Sequence, residues 1–252
     1  MTDRLLDVQL NGAVAHVELT RPAKRNALND ALIDALDAAF ASFGDDVRAV
    51  VLSAAGEHFC AGLDLAENSV RTPVDTLRIS QRWHQVFHRI QFSNKPVVAV
   101  LQGGVIGGGL ELALAAHIRI VEVGAFFQLP EAQRGIFVGG GASVRVARVI
   151  GPDRMTEMML TGRRYSAEDG HRLGLAHYLA EAGQGRQMAA QLAAQVAGNA
   201  SLSNWAAINA VPRIHDMSMS DGLFTEALTA AVTQSSHDAR ERMEGFLNGS
   251  RR

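Results

Sequence analysis

With Cys60 as its one cysteine, this 252-residue chain can form no intrachain disulfide, and its composition fits a reducing compartment. Neither sign of charge dominates. The 24 basic and 26 acidic residues leave a formal net charge of −2, which argues against nucleic-acid binding driven by bulk electrostatics. Long apolar runs are lacking too: the stretch between Pro96 and Glu111 is broken by Gln102 and falls short of the ~20 residues of a membrane span. MTDRLLDVQLNGAV has no basic-then-apolar secretory pattern, so a cytoplasmic location is expected. No G-x-G-x-x-G follows a strand, no Walker lysine is present, and Gly141-Ala142-Ser143 lacks the closing glycine of a nucleophile elbow. Those absences remove dinucleotide-binding, ATPase and serine-hydrolase readings. His84 and His88 share a helical face, but Gln85 stands where a metalloprotease has glutamate and no third ligand is evident, so no metal is expected.

What is present reads as α/β. Leu5–Leu10 and Val14–Leu19 flank Asn11-Gly12, a hairpin signal. A loop carrying Arg21, Lys24 and Arg25 precedes a helix over Leu28–Phe43, and is either a phosphate contact or a solvated basic loop. Val47–Ser53 reads as a buried strand and Thr72-Pro73 opens a long helix to Ile90, whose apolar side carries Trp83, Val86, Phe87 and Ile90. Short strands are expected at Ile118–Val121, Ala125–Gln128 and Ala176–Ala180. Helices are expected over Pro152–Leu160 and Ser166–Leu173, and after the glycines at 139–141, with Val144, Ala147, Val149 and Ile150 inward. From about Gln184 only helical segments rich in Ala, Gln and Met follow, which divides the chain into a core, 1–195, and a C-terminal helical region for capping and assembly, 196–252.

The central stretch is Lys95–Ile120, KPVVAVLQGGVIGGGLELALAAHIRI. A β-branched strand, Val97–Leu101, runs into Gly107, Gly108 and Gly109, which let backbone approach a ligand, and helical spacing resumes at Leu110. Free N–H groups at that helix start favour a developing oxyanion, with Glu111 in the first turn. An ordinary glycine turn with a dipole-favoured acid fits the same residues. The turn after Val47–Ser53, FCAGLDL, offers a second amide at Ala61; its Cys60 is read as a packed thiol rather than a nucleophile. Glu131 follows Glu111 by twenty residues, a separation that lets both carboxylates return to one pocket and divide acid and base roles.

RPAKRNAL, FCAGLDL, the central stretch, LPEAQRGI and GRRYSAEDGHRLGL together resemble the crotonase (enoyl-CoA hydratase/isomerase) superfamily, in order and over nearly the whole chain. The resemblance implies a spiral of repeated ββα units, a helical C-terminal region, assembly as a homotrimer or dimer of trimers, and an acyl-CoA thioester substrate with no separate cofactor. It places the two oxyanion amides on Ala61 and Gly108 and the acid/base pair on Glu111 and Glu131. It also puts Arg21, Lys24 and Arg25 near the coenzyme A phosphates, and Ala27, Leu28 and the turn Ala61, Gly62, Leu63, Asp64 near adenine and pantetheine. Retention of both glutamates favours hydration of a trans-2-enoyl-CoA. Isomerisation, a hydratase-lyase reaction and, more remotely, non-catalytic acyl-CoA binding are the alternatives. Phe137-Val138 and Ser143-Val144 depart from the common pattern beside the acyl pocket.

Overall fold

The computed structural model describes residues 4–68 and 71–249; residues 1–3 and 250–252, the outer limits of the two expected regions, lie outside the described residues. β1 (Leu6–Asn11) and β2 (Val14–Leu19) form the hairpin, with Gly12 at the positive φ its tight turn requires. α1 (Asp30–Ser42) starts at Asn29, whose side chain accepts the Leu32 N–H. β3 (Ala49–Ala54) is followed by the single-turn α2 (Leu65–Asn68) and by α3 (Pro73–Gln91), opened by a Thr72/Asp75 capping box.

The chain then alternates between two sheets. β4 (Val97–Leu101) belongs to the large sheet, β5 (Gly104–Ile106) to the small one, and α4 (Gly108–Ala113) follows; β6 (Ile118–Glu122), β7 (Phe126–Gln128) and α5 (Ala142–Ile150) repeat the pattern. This is the expected ββα repetition of an α/β spiral. α6 (Pro152–Thr161), β8 (Tyr165–Ser166), α7 (Ala167–Leu173) and β9 (Tyr178–Ala180) complete the sheets. The large sheet has the order β1-β2-β3-β4-β6-β9, parallel from β2 onward, and the small one β5-β7-β8. α8 (Gly185–Ala197), α9 (Ser201–Asn209), α10 (Val211–Ile214), α11 (Met219–Gln234) and α12 (His237–Leu247) follow. Among the described residues no helix is long and apolar enough to cross a membrane.

β4 shows why its sequence is apolar without alternation. Val97, Ala99 and Leu101 face the larger core with Leu32, Leu36, Val86, Phe87 and Leu110, while Val98 and Val100 face a second core with Ala189, Ala193 and Ala197 of α8. A strand covered on both faces has no polar side to show. Small residues spaced by four let α8 lie close against the sheet, and α8 straddles the boundary expected at 195/196.

Two expectations are corrected. Helix α4 begins at Gly108 rather than Leu110 and ends after six residues. On α5 the inward residues are Ala142, Val146 and Ile150, while Val144 and Val149 are exposed, because the helix starts at Ala142 and its inner face repeats by four from there. The short β5 was not legible, lying inside a glycine-rich turn that has no strand-forming run.

Candidate active site

Gly107, at φ +53°, turns the chain from β5 into α4. A side chain there is excluded twice over: the φ disfavours it, and its Cβ would lie 2.5 Å from Glu131 Oε1. At Gly108 a Cβ would come within 2.5 Å of the Trp83 ring. These glycines therefore admit protein groups, a carboxylate and an indole, into contact with the turn.

Ala61 does not supply a free amide. Its N–H is donated to Arg25 O at 2.9 Å. The next residue but one is placed differently: Leu28 N donates to Gly62 O at 2.7 Å and Asp64 N to Leu28 O at 2.9 Å, so Leu28 bridges the two residues flanking Leu63. In such parallel pairing the flanked residue turns its own N–H to the opposite edge. Among the described residues neither the Leu63 nor the Gly108 N–H has an intramolecular acceptor. Gly62, at φ +85°, brings this turn against the other one, since a Cβ on it would stand 3.0 Å from Gly108 N. The amide pair open to a ligand is Leu63 and Gly108; parity along the FCAGLDL turn, invisible without its pairing partner, decides this.

Glu111 lies on α4 at 2% exposure, and its Oε1 accepts the N–H groups of Gly140 at 2.8 Å and Ala142 at 2.9 Å. Burial pushes its pKa up, and these amides together with the Arg145 charge pull it back. Glu131, in the loop after β7, is 7% exposed, and its buried Oε2 has no hydrogen-bond partner. Burial, and then the Glu111 charge, push its pKa up to about 7. The structure thus brings the two glutamates together. One is gripped by amides and the other is free to hold or release a proton near neutrality.

The basic loop divides. Arg21 is tied inward, with Nη2 on Asp64 Oδ2 at 3.0 Å and Nη1 on Ala27 O, so its guanidinium braces the loop against the 61–64 turn rather than offering a free cation. Lys24 and Arg25 are exposed, and among the described residues they form no ion pair. Ala27 and Leu28 are buried, and the Leu28 side chain reaches under Gly108, so their side chains face the core. Leu63 and Asp64 are half-buried.

Several contributors were not singled out by sequence. Asn26, fully buried at φ +53°, donates to Ala55 O and His58 O, both at 2.8 Å, and accepts from Arg21 N, fastening the basic loop to the turn that carries Leu63. A polar residue between Arg25 and Ala27 gave only a weak turn signal. The amides of Gly140 and Ala142 come from a glycine turn and the helix start behind it, read in the sequence merely as a turn before a helix. Cys60 is fully buried, its thiol donates to Asn26 O at 3.0 Å, and burial pushes its pKa up to about 12, which suits a packed thiol. Trp83 and Phe87, 5.7 Å apart between ring centroids, wall the side toward α3. Among the described residues no group of three or more His, Cys, Asp or Glu is placed to hold a metal ion.

The model of the family described as enoyl-CoA hydratase/isomerase matches residues 9–251. The short-chain-enoyl-CoA hydratase of Clostridium acetobutylicum is 28% identical over 243 residues, covering 95% of this chain and 93% of that protein. The 2,3-dehydroadipyl-CoA hydratase of Escherichia coli is 30% identical over 231 residues, covering 91% and 90%. A crystal structure of a protein provisionally assigned as an enoyl-CoA hydratase, from Rhodopseudomonas palustris, superimposes with a TM-score of 0.95 at 49% identity, covering 97% of this chain and 95% of that one.

Proposed function

This chain belongs to the enoyl-CoA hydratase/isomerase family, and from that premise we propose that it adds water across the 2,3 double bond of a trans-2-enoyl-CoA thioester. The observation that carries the reading is the pair of buried glutamates, close enough for the charge of one to act on the other, beside two amides with no acceptor of their own. The thioester oxygen would accept from Leu63 and Gly108, stabilising the charge that develops on it. With α4 only six residues long, the amides themselves do this rather than a long helix dipole. Water attacks the β-carbon as Glu111 takes its proton, and Glu131 gives its own proton to the α-carbon; proton exchange between the two carboxylates then resets the site. No metal or separate cofactor enters these steps.

Of the basic loop, Lys24 and Arg25 are the exposed cations suited to coenzyme A phosphates. Exposed Met219, Leu223, Phe224 and Leu228 on α11 make an apolar face suited to assembly as a homotrimer or dimer of trimers. A second reading rests on Glu131: an unpartnered acid that titrates near neutrality can carry one proton between two carbons, which is double-bond isomerisation. Product analysis separates the two. A 2-enoyl-CoA converted to its 3-hydroxyacyl-CoA supports hydration, whereas conversion of a 3-enoyl-CoA without hydration of the 2-enoyl isomer overturns it.

A further inference from the structure

The loop that grips Glu111 is itself held from behind. Arg145, on the first turn of α5, donates from Nη1 to Gly140 O at 3.1 Å and from Nε to Gln91 Oε1 at 2.8 Å, at the last residue of α3. Gly140 thus donates its N–H to Glu111 and offers its carbonyl to Arg145. A Cβ on Gly140 would meet Glu111 Oε2 at 2.6 Å, and one on Gly141 would collide with Arg145 Nη1, so the turn's shape is fitted to both side chains. Ser80 of α3 adds a second tether, donating to Gly139 O at 2.6 Å.

Among the described residues Arg145 forms no ion pair with a carboxylate, so a salt bridge does not account for its half-buried charge. Its charge acts on Glu111. The other charged or titratable groups around this pair are Glu131 in the loop after β7, Arg134 beside it, His88 of α3, which faces Arg145 and Arg213, and Arg148 on α5 itself.

Building on the hydratase reading, we propose that Arg145, braced by Gln91, is a positioning residue that holds the Gly140 and Ala142 amides on Glu111, so that Glu111 receives the water proton and Glu131 delivers the other. Arg145 would touch no substrate. Its effect passes through the Gly140 backbone, whose carbonyl it holds and whose N–H meets Glu111, and it fixes which of two neighbouring carboxylates serves as base.

The test compares wild type, Glu111→Gln, Arg145→Met, Arg145→Lys and Gln91→Leu in steady-state hydration of crotonyl-CoA across pH, with folding followed by circular dichroism. Arg145→Met is expected to lower kcat by about 10-fold to 100-fold with KM held within about twofold. It should also move the acid limb of the kcat profile upward by about one pH unit, because an adjacent positive charge is lost. Arg145→Lys keeps the charge and should restore the limb without restoring the full rate. Gln91→Leu should lower kcat by about 3-fold to 10-fold. A folded Arg145→Met enzyme with the wild-type rate and limb overturns the proposal. If that variant does not fold, wild-type kcat and pH profiles in Arg145→Lys and Gln91→Leu overturn it. Wild-type turnover in Glu111→Gln instead overturns the hydratase reading itself; loss of activity there with unchanged Arg145 variants overturns only the positioning role.

Discussion

Glu131 should weaken the fold that holds it, and replacing it with glutamine should show by how much. Its folded pKa of about 7 stands above the ordinary 4.5. For an acid raised in this way the native state binds the extra proton between those two values, so stability falls as pH rises through that window. Integrating the single-site linkage from pH 5 to pH 8 with these values gives a loss of about 2 to 3 kcal/mol attributable to this carboxyl. Glu131→Gln removes the titration. It also relieves Glu111 of a like charge, which acts in the same direction. The variant should therefore gain about 2 to 3 kcal/mol on wild type between pH 5 and pH 8, or roughly 5 °C or more in Tm for a chain of this size. Thermal unfolding of both proteins at the two pH values, at fixed ionic strength, reads this directly, since titrations common to both cancel. Turnover should meanwhile drop by about 10²-fold or more. A difference in Tm that stays constant between pH 5 and pH 8 would mean that Glu131 does not titrate with a raised pKa in the native protein.

Lys24→Ala/Arg25→Ala should raise KM for a coenzyme A thioester and flatten its salt dependence, yet leave turnover of the phosphate-free N-acetylcysteamine thioester unchanged; equal losses on both substrates would remove these residues from phosphate binding. Cys60 should resist thiol reagents in the native protein and react only on unfolding, as mass spectrometry of labelled samples would report. Trp83→Ala should cost about 3 to 5 kcal/mol in urea unfolding, because it empties a buried ring site beneath Gly108, and should widen the range of acyl groups accepted; unchanged relative rates on short and long enoyl-CoA substrates would take Trp83 out of the acyl wall.

Elements with strong periodic or capping signals were legible in the sequence. The hairpin at Asn11-Gly12, strand Val97–Leu101 and the capped helices α3 and α7 all follow from local chemistry. Glu111 and Glu131 could be picked out as residues, and the fold brings them to one place. What local sequence could not convey was pairing. Whether Ala61 or Leu63 turns its N–H outward depends on Leu28, more than thirty residues earlier, and Arg21 is withdrawn from solvent by Asp64 on another segment. Likewise the amides of Gly140 and Ala142 acquire a role only once α4 is set beside the start of α5. A glycine run announces a close approach but does not name the group that makes it.

In the proposed hydration two glutamates divide a proton transfer beside the Leu63 and Gly108 amides. Its most direct test is the decay of the enoyl-thioester absorbance when crotonyl-CoA is added to wild type, Glu111→Gln and Glu131→Gln. Rapid decay is expected with wild type and a rate lower by about 10²-fold or more with each variant, while substrate binding is largely kept. Decay at the wild-type rate in either variant would contradict it.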